Sequence, residues 1–332
     1  VKKIGMLGVA LMLVVLAACG NDEASSDGGS GEWQPDKNLE IVAPAGAGGG
    51  WDTTARSVAR VFEDEGIVEE SVGVVNKPGG GGAVGWSYVN NTDNPHTIFV
   101  SSPPLLFVPL NGQSDISHKD VTPLANVIAD YGAFAVAEDA KWDNLTELFE
   151  DMKGDPSSVT VVGASSPGSM DHIQFVRLAK EAGVDIKGIK YVSAQDGAGL
   201  TQILNGSADV YSTGVAETVE QVKAGKIRVL GVTSEERLEG DVLSDFPTAV
   251  EQGIDATFVN WRGFFGPKDM DPAAVAYYEE KLKEVSDSEA FGKLRDQYGW
   301  GEMFMGSEEY KSFLDEQEEE VSTLLEELGL GQ

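Results

Sequence analysis

Beyond residue 35, one pattern of apolar and polar positions recurs along the chain. A short run rich in Val and Ile leads into a Gly- or Ser-rich stretch, and apolar residues then return at helical spacing. The runs at 39–43, 72–75 and 97–100 read as strands, because β-branched residues suit a pleated, buried surface. Ala55, Val58, Ala59 and Phe62 fall at i, i+3, i+4 and i+7, the apolar stripe of one helix face. A helix is therefore predicted over 53–63 with Asp52 as its N-cap, and another over 83–89. The unit returns with strands at 159–162, 190–192, 210–212 and 228–232 and helices over 170–182, 198–204 and 215–224, the last ended by Gly225. The tail reads as three helices, 272–285, 289–297 and 307–328. Alternating strands and helices predict parallel α/β sheets. Two sets of such units predict two α/β lobes, with the chain crossing between them near 130–136 and 255–264.

The N-terminus breaks this pattern. Lys2 and Lys3 precede an apolar run over 4–18, shorter than the roughly 20 residues that span a bilayer and suited to a secretory signal. It ends in Leu16-Ala17-Ala18-Cys19-Gly20, which resembles the lipobox of bacterial lipoproteins, whose cysteine is lipidated and becomes the mature N-terminus. Residues 1–18 are expected to be a lipoprotein signal peptide, Cys19 the lipidation site, and the acidic, Gly/Ser-rich 19–35 a flexible tether. Lobe 1 is expected over 36–133 and 256–332, and lobe 2 over 134–255. Cys19 is the only cysteine, so stability has to come from the packed core rather than from disulfides.

Charge and motif content then remove whole classes of function. Lys and Arg number 24 against 55 Asp and Glu, a formal charge of -31, which excludes nucleic acid as a partner. A hydrophobic share of 41% separates the chain from disordered acidic sequences. The carboxylates gather on helix faces, as at Glu147, Glu150, Asp151 and 316–320, and read as a solvated surface. No DxDxDG-type calcium loop, HExxH or GxSxG occurs, and the three histidines lack metal-ligand spacing. Neither cofactor, metal nor catalytic residue is expected, and the chain is not expected to be an enzyme. A secreted enzyme acting on a carboxylated substrate stays open as the alternative.

The candidate chemistry lies in two glycine runs, Pro44-Ala-Gly-Ala-Gly-Gly-Gly-Trp-Asp52 and Asn76-Lys-Pro-Gly-Gly-Gly-Gly82. Each sits between a predicted strand and a predicted helix. Glycine lets a ligand approach the backbone without meeting a Cβ, and the helix that follows offers unpaired N–H groups and a positive dipole end. Such turns suit an anion and lie at the carboxyl edge where open α/β sheets bind ligands. Ser165, Ser166 and Ser169 occupy a similar turn of the second set. Trp51 stands where the third glycine of a GxGxxG dinucleotide fingerprint belongs, which excludes that reading. Single residues keep two readings. Asp52 either caps its helix or orients a ligand group, and Trp51 either packs in the core or walls a cleft. His172 either contacts ligand or caps its turn, and Arg262 is the best-placed cation.

Five ordered motifs carry a family resemblance: PAGAGGGWDTTAR (44–56), VVNKPGGGGAVG (74–85), GKIRVLGVTSEER (225–237), FPTAVEQG (246–253) and WRGFFGP (261–267). Together they resemble the substrate-binding subunit of the tripartite tricarboxylate transporters, within the wider group of Bug receptors. The resemblance implies a type II periplasmic-binding-protein fold, in which two hinged lobes close on a ligand. It implies an extracytoplasmic receptor, which the lipobox-like motif would anchor to the membrane by lipid, and the receptor is expected to be a monomer. Its ligand would be a small organic di- or tricarboxylate, citrate-like or else another organic anion such as an aromatic carboxylate. Delivery would be to one large and one small integral membrane subunit. The family's binding loops map here onto Ala47, Gly48, Gly49, Gly50, Trp51 and Asp52, onto Lys77, Pro78, Gly79, Gly80, Gly81 and Gly82, and onto Ser101 and Ser102. The second lobe's implied contacts are Ser165, Ser166, Gly168, Ser169, Gln195, Asp196 and Thr213. Gly81 departs from the family pattern, in which an alanine is common nearby.

Overall fold

A computed structural model describes residues 33–194 and 198–331. The first strand-to-helix unit is β1 (Leu39–Ala43) leading into α1 (Gly50–Asp64). Ala55, Val58, Ala59 and Phe62 are all buried on one face of α1, and each large apolar side chain so buried contributes on the order of 2 kcal/mol. Then follow β2 (Val72–Asn76), α2 (Ala83–Thr92), β3 (Thr97–Ser101) and α3 (Pro104–Leu110). A 16-residue strand, β4 (Thr122–Ala137), ends this block. The second block is α4 (Leu145–Gly154), β5 (Thr160–Gly163), α5 (Met170–Glu181), β6 (Lys190–Ser193), α6 (Gly199–Leu204), β7 (Val210–Gly214), α7 (Val215–Lys223) and β8 (Ile227–Val232). The chain then returns through β9 (Val259–Gly266), α8 (Pro272–Asp287), α9 (Glu289–Tyr298), β10 (Gly301–Gly306) and α10 (Ser307–Leu328).

Strand order explains the two lobes. The path runs β2-β1-β3-β9-β4-β7-β5-β6, with β8 and β10 added on β4. Pairs β1–β2, β1–β3, β5–β6 and β5–β7 are parallel, as the alternating pattern predicts. The central strands are antiparallel. β4 belongs to both sheets: it pairs with β9 up to Tyr131 and with β7 from Gly132 onward. At that change of partner, Gly132 N–H donates to the Thr233 hydroxyl at 2.8 Å and Thr233 N–H donates to the Gly132 carbonyl at 3.0 Å. The same hydroxyl donates to the Phe258 carbonyl at 2.6 Å, just before β9 begins. One threonine therefore ties the outgoing strand to the returning one. A Cβ on Gly132 would meet Gln174 Oε1 at 2.3 Å, so only glycine fits at this point.

Three local readings change. The N-cap of α1 is Gly49, and Asp52 lies inside the first turn, because the Asp52 side chain reaches back to an amide rather than closing the helix from outside. The tail is not wholly helical: Gly301–Gly306 is a strand paired antiparallel with β4, its Met303, Phe304 and Met305 lacking the β-branched signature. α3 was not foreseen, since Pro104 and Pro109 mask a seven-residue helix that starts on a proline.

Candidate ligand-binding site between two lobes

The carboxyl ends of β1 and β2 meet those of the second sheet across a cavity of about 270 Å³. Lobe 1 contributes Pro44, Ala45 and Trp51 from the first loop and Pro78, Gly79, Gly81 and Gly82 from the second. Pro104, Val108 and Gln113 add a third wall, and Ala164, Ser165, Ser166 and Ser169 face them from the second lobe. None of these side chains is ionisable, so an anion here would be held by amides, hydroxyls and helix dipoles.

The second loop is glycine because of its backbone. Gly79, Gly80, Gly81 and Gly82 all have positive φ, at 130°, 59°, 64° and 115°, which other residues adopt only with strain. Space forbids side chains as well: a Cβ on Gly81 would lie 2.9 Å from Val108, and one on Gly82 would lie 2.5 Å from Trp86. The first loop is organised by Asp52. Its carboxylate accepts from Gly48 N–H at 2.8 Å, from Arg56 Nε at 2.9 Å and from Asn76 Nδ2 at 2.8 Å. Asn76 also donates to the Ala45 carbonyl at 3.0 Å, so the two glycine loops are laced together. Burial pushes the Asp52 carboxyl up, but the bonds from Arg56, Gly48 and Asn76 outweigh it and hold it below the usual range.

The serine loop of the second lobe repeats the first loop bond for bond. Gly49 N–H donates to the Gly46 carbonyl at 3.2 Å, and Ser169 N–H to the Ser166 carbonyl at 3.0 Å. Gly48 and Gly168 take φ of 82° and 78°. Thr53 N–H and Ile173 N–H return to the Gly49 and Ser169 carbonyls, both at 2.9 Å. The counterpart of Asp52 is His172, whose Nδ1 accepts from Gly168 N–H at 3.0 Å. That bond fixes the tautomer, with the ring proton on Nε2, and burial lowers the His172 pKa to about 4. Beside it, the Asp171 carboxylate accepts from Ser165 N–H at 2.9 Å while the Ser165 hydroxyl accepts from Asp171 N–H at 2.8 Å. Burial raises Asp171 to about 6 against those bonds. Tyr191 donates its hydroxyl to the Ser165 carbonyl at 2.8 Å, and its ring packs 4.5 Å from that of His172.

The structure sorts the residues singled out from sequence. Trp51, Pro78, Gly79, Gly81, Gly82, Ser165, Ser166 and Ser169 line the cavity. Asp52, His172 and Gly168 shape the loops from behind. Ala47, Gly48, Gly49, Gly50 and Gly80 build the turns without lining the cavity. Lys77 turns its ammonium over the Tyr88 ring at 4.1 Å, away from the glycines. Ser102 accepts from the Trp51 indole N–H at 3.0 Å and so anchors the cavity wall, while Ser101 is fully buried beneath it. The Thr213 carbonyl accepts from Gln174 at 3.0 Å. Arg262 pairs with Asp130 at 2.5 Å and donates to the Gly50 carbonyl at 3.2 Å and the Thr54 hydroxyl at 3.1 Å. It ties α1 to the central strands, and both partners of the ion pair are buried. Burial raises the Asp130 carboxyl, with Arg262, Tyr131 N–H and Asn260 opposing it. Cys19, Gln195 and Asp196 lie outside the described residues. Gln113, Pro104 and Val108 were missed, because nothing in their local sequence marks a binding wall. Among the described residues, no three His, Cys, Asp or Glu side chains are grouped to hold a metal, and no helix is long and apolar enough to cross a membrane.

Residues 55–330 match the family model described as the tripartite tricarboxylate transporter family receptor, TctC. The chain belongs to that family. TctC receptors are solute-binding proteins, and a cavity framed by two hinged lobes is what such a receptor needs. A relative, the protein BugT of Bordetella pertussis, is 24% identical over 268 residues, covering 79% of this chain and 80% of its own. The fold is that of the periplasmic binding protein BugD, at a TM-score of 0.75 and 21% identity over 90% of this chain and 99% of that one. A protein of R. palustris solved with adipate aligns at a TM-score of 0.76 and 19% identity, with the same coverage. The type II binding-protein fold implied by the family resemblance is therefore the fold of this TctC chain.

Proposed function

We propose that this TctC receptor captures a small organic di- or tricarboxylate outside the cytoplasm and delivers it to the large and small membrane subunits of a tripartite transporter. The observation that carries this reading is the cavity of about 270 Å³, walled from both lobes by equivalent strand-to-helix loops and, among the described residues, lined by no ionisable side chain. Glycine loops with positive φ give a carboxylate close access to backbone amides, and the start of α1 adds a favourable dipole. We take 36–133 and 256–332 as lobe 1 and 134–255 as lobe 2, a division supported by the change of partner along β4 between Tyr131 and Gly132. Cys19 is proposed as the lipid anchor, within a tether over 19–35. The adipate-bound neighbour supports the dicarboxylate class, and citrate is the tricarboxylate of first choice. Among the described residues that line the cavity none is ionisable, which favours a receptor over an enzyme.

Thermal-shift screening of the protein against citrate, malate, adipate and benzoate tests this. A ligand that binds the folded state raises Tm in proportion to RT ln(1 + [L]/Kd) and is recovered unchanged. Failure of every carboxylate to shift Tm at millimolar concentration, or chemical conversion of one of them, would end the proposal.

A further inference from the structure

The third wall carries the one long polar side chain, Gln113, among the described residues that line the cavity. α3 ends in a tight turn, in which Asn111, Gly112 and Gln113 donate their N–H groups to the Phe107, Pro109 and Val108 carbonyls at 3.1, 2.9 and 2.9 Å. Gly112 takes φ of 75°, and that reversal sets Gln113 against the cavity beside Pro104 and Val108. Asn111 reaches the opposite lobe: its Nδ2 lies 3.5 Å from where a Cβ on Gly168 would stand. Both polar atoms of its carboxamide are buried without a hydrogen-bond partner among the described residues. The turn therefore lies between the third wall, which also packs on Gly81, and the serine loop.

Of the other polar side chains on the cavity, all but the short Ser169 hydroxyl are already engaged. The Trp51 indole donates to Ser102 at 3.0 Å, the Ser165 hydroxyl accepts from Asp171 N–H at 2.8 Å, and Ser166 has its own partner. The Gln113 carboxamide, exposed, bonds to no described residue. A carboxamide offers two N–H donors and a carbonyl acceptor without charge, so it can meet a carboxylate oxygen or a hydroxyl equally well.

We infer that Gln113 is a specificity residue, reading the second polar group of a ligand whose first carboxylate sits on the glycine loops. The inference rests on the carboxylate reading of the cavity and adds to it a means of telling a dicarboxylate from a half-ester. An N–H of Gln113 donates to the distal carboxylate. Glutamate in its place keeps the shape, loses that donor and adds a like charge, which opposes a dianion far more than a ligand ending in a neutral ester.

Calorimetric titration of the full-length protein and of Gln113→Glu with adipate, malate and citrate, and with the monomethyl ester of each one that binds, tests the inference. The expected result is a loss of tenfold or more for the free acid in Gln113→Glu and a loss of threefold or less for its half-ester. Gln113→Ala is expected to weaken the free acid by a smaller factor, and both variants to melt like wild type without ligand. A loss below tenfold for the acid in Gln113→Glu, or equal losses for acid and half-ester, overturns the role of Gln113 while leaving the carboxylate reading intact. Wild-type protein that binds none of the three acids overturns the carboxylate reading itself, and the role of Gln113 with it.

Discussion

Asp171 and His172 are adjacent, buried and linked to protons in opposite senses, which makes the serine loop testable by titration. Asp171 rises from 3.8 to about 6 on folding, so the folded state binds more protons than the unfolded between those values. Its stabilisation is complete below pH 3.8 and is lost as pH rises through 6; the gap is worth about 3 kcal/mol. His172 falls from 6.5 to about 4, so its contribution is complete above pH 6.5 and is lost as pH falls through 4, again about 3 kcal/mol. In the wild type the two nearly cancel between pH 4 and 6.5. His172→Asn unmasks Asp171, because an Asn carbonyl at that position can still accept from Gly168 N–H, as the Asp52 carboxylate accepts from Gly48 in the other lobe. Melting temperatures of variant and wild type would be taken from pH 7 to 4, and their difference read so that the many surface carboxylates drop out. At about 2 °C per kcal/mol for a chain of this size, the His172→Asn curve should gain about 6 °C on wild type as pH falls to 4. Asp171→Asn should lose a similar amount. Parallel curves for His172→Asn and wild type would refute the argument.

Two other perturbations probe the lobe 1 side. Gly81→Ala places a Cβ at φ 64° and 2.9 Å from Val108 and should lower stability by about 2 kcal/mol, read by urea unfolding. Gly46→Ala, with no atom within 4 Å and no positive φ, should be neutral or slightly stabilising, and equal effects at the two sites would discount the conformational argument. Arg262→Met leaves the buried Asp130 carboxylate without its counterion and should cost about 3–5 kcal/mol where Asp130 is ionised, and less as falling pH protonates it, since burial raises that carboxyl. The double variant with Asp130→Asn should recover part of the loss, and a double variant no more stable than Arg262→Met would show that the ion pair is not the source.

The strand-turn-helix units were legible because β-branched runs, glycine clusters and helical spacing all point the same way at each one. The glycine loops were legible as strand-to-helix turns for the same reason, and the structure brings Gly79, Gly81 and Gly82 to the cavity wall. What stayed hidden depends on distant partners. Arg262 follows Trp261 in an inviting position, yet its guanidinium is claimed by Asp130, 132 residues away in sequence. Asp52 and His172 looked like ligand groups or caps, and local spacing could not separate these; the repeated four-residue return to a glycine N–H did. Gln113 carries no signal of its own, since its place is set by a proline-bounded helix that sequence periodicity cannot detect in seven residues. β10 was lost to its Met and Phe content, and it forms because β4 offers a free edge.

The shared strand also dictates an order of assembly. β3 is buried along its whole length, but its partner β9 begins at Val259, long after β3 has left the ribosome or the export channel. The second lobe has all of its strands by Val232 and can close first around the latter half of β4. Until β9 arrives, the first three strands present an open, apolar edge of the kind that pairs with other chains, and such long-range closure is slow. The amino-terminal lobe is thus the last to mature, and the tail of the chain, rather than its beginning, decides when the receptor is whole.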